Sequence, residues 1–167
     1  MKGRVVDLPR GWHLYKGELG RGSAAGDMRS TALHEAAHAV VAHRLGAKVL
    51  RLWLIQRNRR TLGKLTSGFT ETEWKRPKDP LAFVLYSLAG HEAECAIYGR
   101  PLTSPPEGDW VGCRKIHCSA AALNWAHWST RRIVMASMPE IRRVQRALLV
   151  GGRLTRRQFL KARKETK

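Results

Sequence analysis

Between positions 34 and 38 the chain reads His34-Glu35-Ala36-Ala37-His38. On a helix, residues four apart project from one face a turn apart, so the two imidazoles can hold a single metal ion together. Glu35 projects to the side of that pair. There a carboxylate can reach a metal-bound water, take its proton during attack on a peptide carbonyl and return it to the leaving amine. Zinc suits such a site, because it lowers the pKa of bound water to about 7 and polarises the carbonyl. The spacing therefore predicts Zn2+ as cofactor, His34 and His38 as ligands, and Glu35 as the general base of a hydrolase that cuts peptide bonds. A catalytic zinc takes three protein ligands and leaves a fourth position open. Glu71, Glu73, His91, Glu92, Glu94 and Asp109 all offer donors for the third place, and spacing does not choose among them.

The elements that must position these groups can be read from capping and periodicity. Asp27 or Ser30 can cap a helix through Leu33, Ala36, Ala37, Val40 and Val41, and Gly46 suits its end. His43, further along, reads as a surface histidine. Val49 to Ile55 is a β-prone apolar run, Asn58 to Gly63 a basic turn, and Lys64 to Thr70 a second extended stretch, so a small antiparallel sheet beside the helix is expected. Asp79-Pro80 opens a densely apolar helix from about Leu81 to Tyr98, which Gly99 and Pro101 end. After a Pro-rich loop from Pro101 to Gly108, Asp109 stands before an Ala-rich helix through Ala120 to Trp125 and beyond. Pro139 predicts the start of a short helix from Glu140 to about Val150, Gly151-Gly152 a break, and Thr155 with Gln158 a capping box for a last helix. Residues 1–26 read as a flexible basic N-terminal arm and residues 27–167 as one domain.

Size and composition bound the possibilities. A chain of 167 residues can bury a core without staples. Cys95, Cys113 and Cys118 are too few for a disulfide framework and read as packing residues, and His117 with its flanking cysteines lacks the spacing of a second metal site. The longest apolar run, Leu81 to Gly90, is shorter than the roughly 20 residues that span a bilayer. With no secretory signal pattern at the N-terminus either, a cytoplasmic location is expected. The net charge is +18 and the pI about 11.0, which attracts polyanions. Much of it falls between Arg131 and Lys164, so nucleic acid is a possible partner through this basic C-terminal region. No established binding pattern for nucleic acid occurs there. Trp110, Trp125 and Trp128 read first as core or interface aromatics and second as a base-stacking platform.

Four segments in order resemble the peptidase domain of the FtsH family of zinc metallopeptidases (peptidase family M41). They are Thr31 to Ala42 with its histidine motif, the strand after it, Leu88-Ala89-Gly90-His91-Glu92-Ala93-Glu94-Cys95-Ala96-Ile97-Tyr98-Gly99, and Gly108-Asp109-Trp110. The resemblance implies an α+β, mainly α, zincin-like fold in which the histidine helix and a small antiparallel sheet precede a helical bundle. It also implies Asp109 as the third zinc ligand, with Glu94 its main rival or else a support for a zinc-bound histidine. This sequence departs from the family at Ala37, where glycine is usual, at His91 and Glu92, where Arg and Ala are common, and in Trp110 to Arg114 after the aspartate. It also contains no phosphate loop and no membrane helix, both of which FtsH-type proteases carry. The expected activity is zinc-dependent endopeptidase cleavage of unfolded or flexible polypeptides, aided by a separate unfoldase or by homo-oligomerisation. The alternative is a nucleic-acid-associated or regulatory protein that retains a metallopeptidase fold.

Overall fold

A computed structural model of the chain describes residues 28–59, 63–74, 80–99 and 120–165. In chain order the elements are α1 (Met28–Arg44), β1 (Lys48–Arg59), β2 (Gly63–Glu73), α2 (Pro80–Tyr98), α3 (Ala120–Gly151), β3 (Arg153–Thr155) and α4 (Arg156–Ala162). The described part is mainly helical with one small antiparallel sheet, as an α+β reading requires. Asp27, the N-terminal arm, Asp109 and Cys113 to Cys118 lie outside the described residues.

The centre of the molecule is α1, in which every residue from Ser30 to Ala42 is buried. A helix buried on all sides needs apolar or small residues all round. Ala32, Ala36, Ala37, Ala39 and Ala42 meet that need and let neighbouring elements approach closely. Helices α2 and α3 pack on α1 and on each other, and β1 and β2 cover another side. Ser30 is therefore a buried helical residue, not the cap. At the other end Gly46 adopts φ 89°, and the N–H groups of Gly46 and Ala47 donate to the carbonyls of His43 and Ala42. This is the Schellman ending that a glycine past a helix allows.

The sheet has the order β2-β1-β3, so β2 is an outer strand. Strand β1 pairs with β2 down to Arg59 opposite Gly63, with a bulge between Val49 and Arg51. That extra residue resets the alternation, which is how Val49 and Leu52, three apart, are both buried. Strand β3, which sequence periodicity does not announce, sets buried Leu154 opposite Leu52. The Thr155–Gln158 capping box forms as expected and starts α4. Its Phe159 is wholly buried with its ring 5.8 Å from that of His43, a burial that stabilises the fold by about 1.5–3 kcal/mol. His43 is thus half-buried packing and not a surface residue; burial, with the charge of Arg163, pushes its imidazole below the ordinary histidine value.

Pro139 does not begin a helix. It lies inside α3, one continuous helix of 32 residues. Ala126, Thr130, Val134, Ser137, Ile141, Val144 and Leu148 form a single buried stripe that runs through the proline. The N–H that Pro139 lacks would have served the carbonyl of Met135, and both residues lie on the exposed side, where water can satisfy that oxygen.

Candidate metal centre

His34 and His38 face α2 from consecutive turns of α1. The ring of His34 is fixed at Nδ1 by Glu94, whose Oε1 lies 3.0 Å away and which is itself wholly buried. Nδ1 of His38 lies 2.8 Å from the carbonyl oxygen of Tyr86. A carbonyl only accepts, so His38 must carry its proton on Nδ1, and a carboxylate imposes the same arrangement on His34. In both neutral rings the lone pair is then on Nε2.

The two Nε2 atoms lie 2.9 Å apart. At that separation the two nitrogens can share a proton or serve together as donors to one cation. Two Nε2 donors, each held by a hydrogen bond at the opposite ring nitrogen, match the arrangement by which proteins orient metal-ligating histidines. The pair therefore offers two nitrogen donors of the type zinc takes.

Glu35 is buried beside this pair. The hydroxyl of Thr70 on β2 lies 2.7 Å from its Oε2 and 3.0 Å from its backbone carbonyl oxygen. The carboxylate therefore has a fixed orientation although its side chain is long. Gly68, two residues earlier and on the same face of the strand, lies against the same side chain: a Cβ there would fall 2.8 Å from Oε1 and closer still to Cγ. The Tyr86 ring lies 5.0 Å from that of His38 and meets Trp74 edge to face, closing this side with aromatic surface.

The other sequence candidates have different engagements. Glu71 pairs with Arg51, Glu73 with Lys48 at 2.8 Å, and Glu92 with His127 at 2.7 Å. The His91 ring stands 6.0 Å from that of His127. Glu94 meets His34 at Nδ1, on the opposite edge of the ring from the Nε2 pair, which makes it a support of that histidine. Among the described residues no group of three or more His, Cys, Asp or Glu side chains is arranged to hold a metal ion. Asp109, the third ligand implied by the resemblance, lies outside those residues. Cys95 is a half-buried thiol pushed up by its burial and by Glu92 and Glu94, which suits packing and not nucleophilic chemistry.

Three contributions escape the motif. Thr70 and Gly68 belong to a strand whose alternation puts them on one face, a signal that becomes useful once the strand's register beside α1 is known. Tyr86 acts through its backbone oxygen, which any residue would supply. Among the described residues no helix is long and apolar enough to cross a membrane. Compared with models of known protein families the chain matches none, and no curated protein matches it in sequence.

Proposed function

We propose that the chain is a zinc-dependent endopeptidase acting on unfolded or flexible polypeptides. The observation that carries this reading is the convergence of two oriented imidazole nitrogens beside a buried, hydroxyl-held carboxylate. His34 and His38 would hold the metal, with Asp109 as the third ligand that the FtsH-family resemblance implies. Zinc in such a site supplies Lewis acidity, which makes water acidic near neutral pH and polarises a peptide carbonyl. Glu35 takes the proton of the attacking water and delivers it to the leaving amine. Thr70 keeps the accepting oxygen in one place through that exchange, and Glu94 with the Tyr86 carbonyl keeps both rings in the tautomer that presents Nε2.

Substrate selection follows from the sheet. Strand β2 is an outer strand and carries Gly68 and Thr70 against Glu35. An extended polypeptide adding to that edge by backbone hydrogen bonds would pass the carboxylate, and such pairing favours unfolded chains over particular side chains. Folded substrates then require a separate unfoldase or an assembly of several copies, and a cytoplasmic setting suits this reading.

The test compares wild type with Glu35→Gln on an unfolded casein substrate, with zinc measured by elemental analysis of the purified proteins. The proposal expects zinc bound in both, and turnover about 10²–10⁴-fold lower in the variant. Absence of bound zinc in the wild type, or equal turnover by the two proteins, would overturn it.

A further inference from the structure

The buried stripe of α3 leaves the opposite side of that helix facing solvent. There Trp125 is 48% exposed, Trp128 56% and Met135 55%, unusually high for large apolar side chains. Trp125, Trp128, Arg132 and Met135 follow one another at spacings of three and four, so they form one ridge along the helix. The guanidinium of Arg132 lies over the Trp128 ring, 4.6 Å from its centroid. Arg131 and Arg146 are exposed on the same helix, and past its end so are Arg153, Arg156 and Arg157. The one acid of α3, Glu140, is engaged by Arg44 and Arg163, so it does not offset these charges.

Charge decides what can cover this ridge. A second copy would bring two chains of net charge +18 together with their arginines opposed. A neutral apolar partner would strip water from Arg131 and Arg132 without replacing it. The occupant must be anionic and must also offer flat apolar faces to two indoles. A single nucleic-acid strand has both, since each base presents a π-face and each step a phosphate. An anionic bilayer offers charge in one plane only. The exposed arginines of α3 run from Arg131 to Arg146, about 22 Å of helix, and Arg153, Arg156 and Arg157 follow in the next elements, a course that a strand can follow.

We propose that the exposed ridge of α3 binds single-stranded nucleic acid with little sequence preference. Trp125 and Trp128 stack bases, and Arg131, Arg132 and Arg146 contact phosphates. This proposal does not rest on the peptidase reading.

The experiment titrates the full chain with a fluorescein-labelled 20-nucleotide oligothymidylate at several salt concentrations, following anisotropy and tryptophan emission. Parallel arms use a duplex of equal length, vesicles of phosphatidylcholine with phosphatidylserine, and polyglutamate. The expected result is preferred binding of the single strand with quenched tryptophan emission. Affinity should fall with salt at a slope of about 0.7 per phosphate contacted. Trp125→Ala and Trp128→Ala should each weaken binding about 5- to 150-fold with little change in slope, while the Phe variants retain most of it. Arg131→Ala with Arg132→Ala should instead flatten the slope by about 1.4. Both tryptophans are half exposed, so circular dichroism should report unchanged folding in every variant. Alanine variants that bind like wild type, or polyglutamate competing equally per charge, would reduce the ridge to a general cation surface and overturn the proposal. Vesicle binding that the oligonucleotide does not displace, or a dimer lost in the tryptophan variants on sedimentation, would assign the ridge to a membrane or to a second copy and equally overturn it.

Discussion

Gly90 of α2 lies against the imidazole of His34, so closely that a Cβ at this position would stand 2.5 Å from both ring nitrogens. The ring cannot retreat easily, because Glu94 holds its Nδ1 and its Nε2 faces His38. Gly90 and Glu94 are one helical turn apart, so the residue that permits close approach and the residue that grips the ring share one face of α2. Gly90→Ala must then either push α2 from α1 or rotate the imidazole. Overpacking of this kind costs about 1–3 kcal/mol. We expect a lower midpoint in urea unfolding and loss of bound zinc; wild-type zinc content and stability in this variant would contradict the packing seen here.

Gly68 makes a similar approach to Glu35: the atom a Cβ there would meet first is Cγ, in a buried side chain whose carboxylate Thr70 holds. Gly68→Ala is therefore expected both to displace the carboxylate and to cost about 1–3 kcal/mol of stability. Peptide cleavage should fall roughly 10²-fold and the midpoint in urea should drop, while zinc content stays near that of the wild type. Wild-type cleavage together with a wild-type midpoint would show that Glu35 has room to move.

Glu94 separates charge from geometry. Glu94→Gln retains an oxygen able to accept from His34 Nδ1 but removes the buried negative charge, and should weaken zinc binding about 10- to 100-fold in competition with a chelator. Glu94→Ala leaves that N–H without its carboxylate partner in a wholly buried place, so it should also destabilise the fold by about 1–3 kcal/mol. Equal zinc affinity in wild type and both variants would remove Glu94 from the site.

Glu140 joins the end of α1 to the end of α4, accepting from Arg44 at 2.5 Å and from Arg163 at 3.1 Å. Burial alone would raise its carboxyl, but the hydrogen bond and charge of Arg44, with Arg163, outweigh it and hold the group below the usual carboxylate range. A carboxylate depressed in the folded state stabilises above its unfolded pKa, about 4.3, and that contribution disappears as pH falls through the folded value. Glu140→Gln should thus be less stable than wild type at pH 7 by about 1–3 kcal/mol, with the gap closing below about pH 4. Urea unfolding across this pH range measures it; a gap of constant size would exclude the ion-pair explanation.

Local signals were sufficient for several elements. The glycine after α1 and the Thr155–Gln158 box are short-range chemistry, and both appear where capping rules put them. Pro139 was misleading for the same reason: a proline preceding Glu140 resembles a helix start, but the buried stripe on either side of it carries α3 through. Strand β3 is only three residues long and leans on β1 for its pairing, so its own residues carry no period to detect.

What the amino-acid sequence determined by itself is that two imidazoles and a carboxylate occupy one turn of a helix, because backbone hydrogen bonding sets their spacing wherever that helix lies. It also determined the large positive charge, which needs no fold. Which nitrogen each ring presents was decided only by tertiary structure, through a carboxylate 60 positions from His34 and a carbonyl 48 positions from His38. The aim of Glu35 likewise depends on Thr70, 35 positions away, and so on the register of β2 beside α1. Proton placement and side-chain direction answer to whichever groups the packed helices and sheet bring within about 3 Å, and spacing along the chain does not encode that approach.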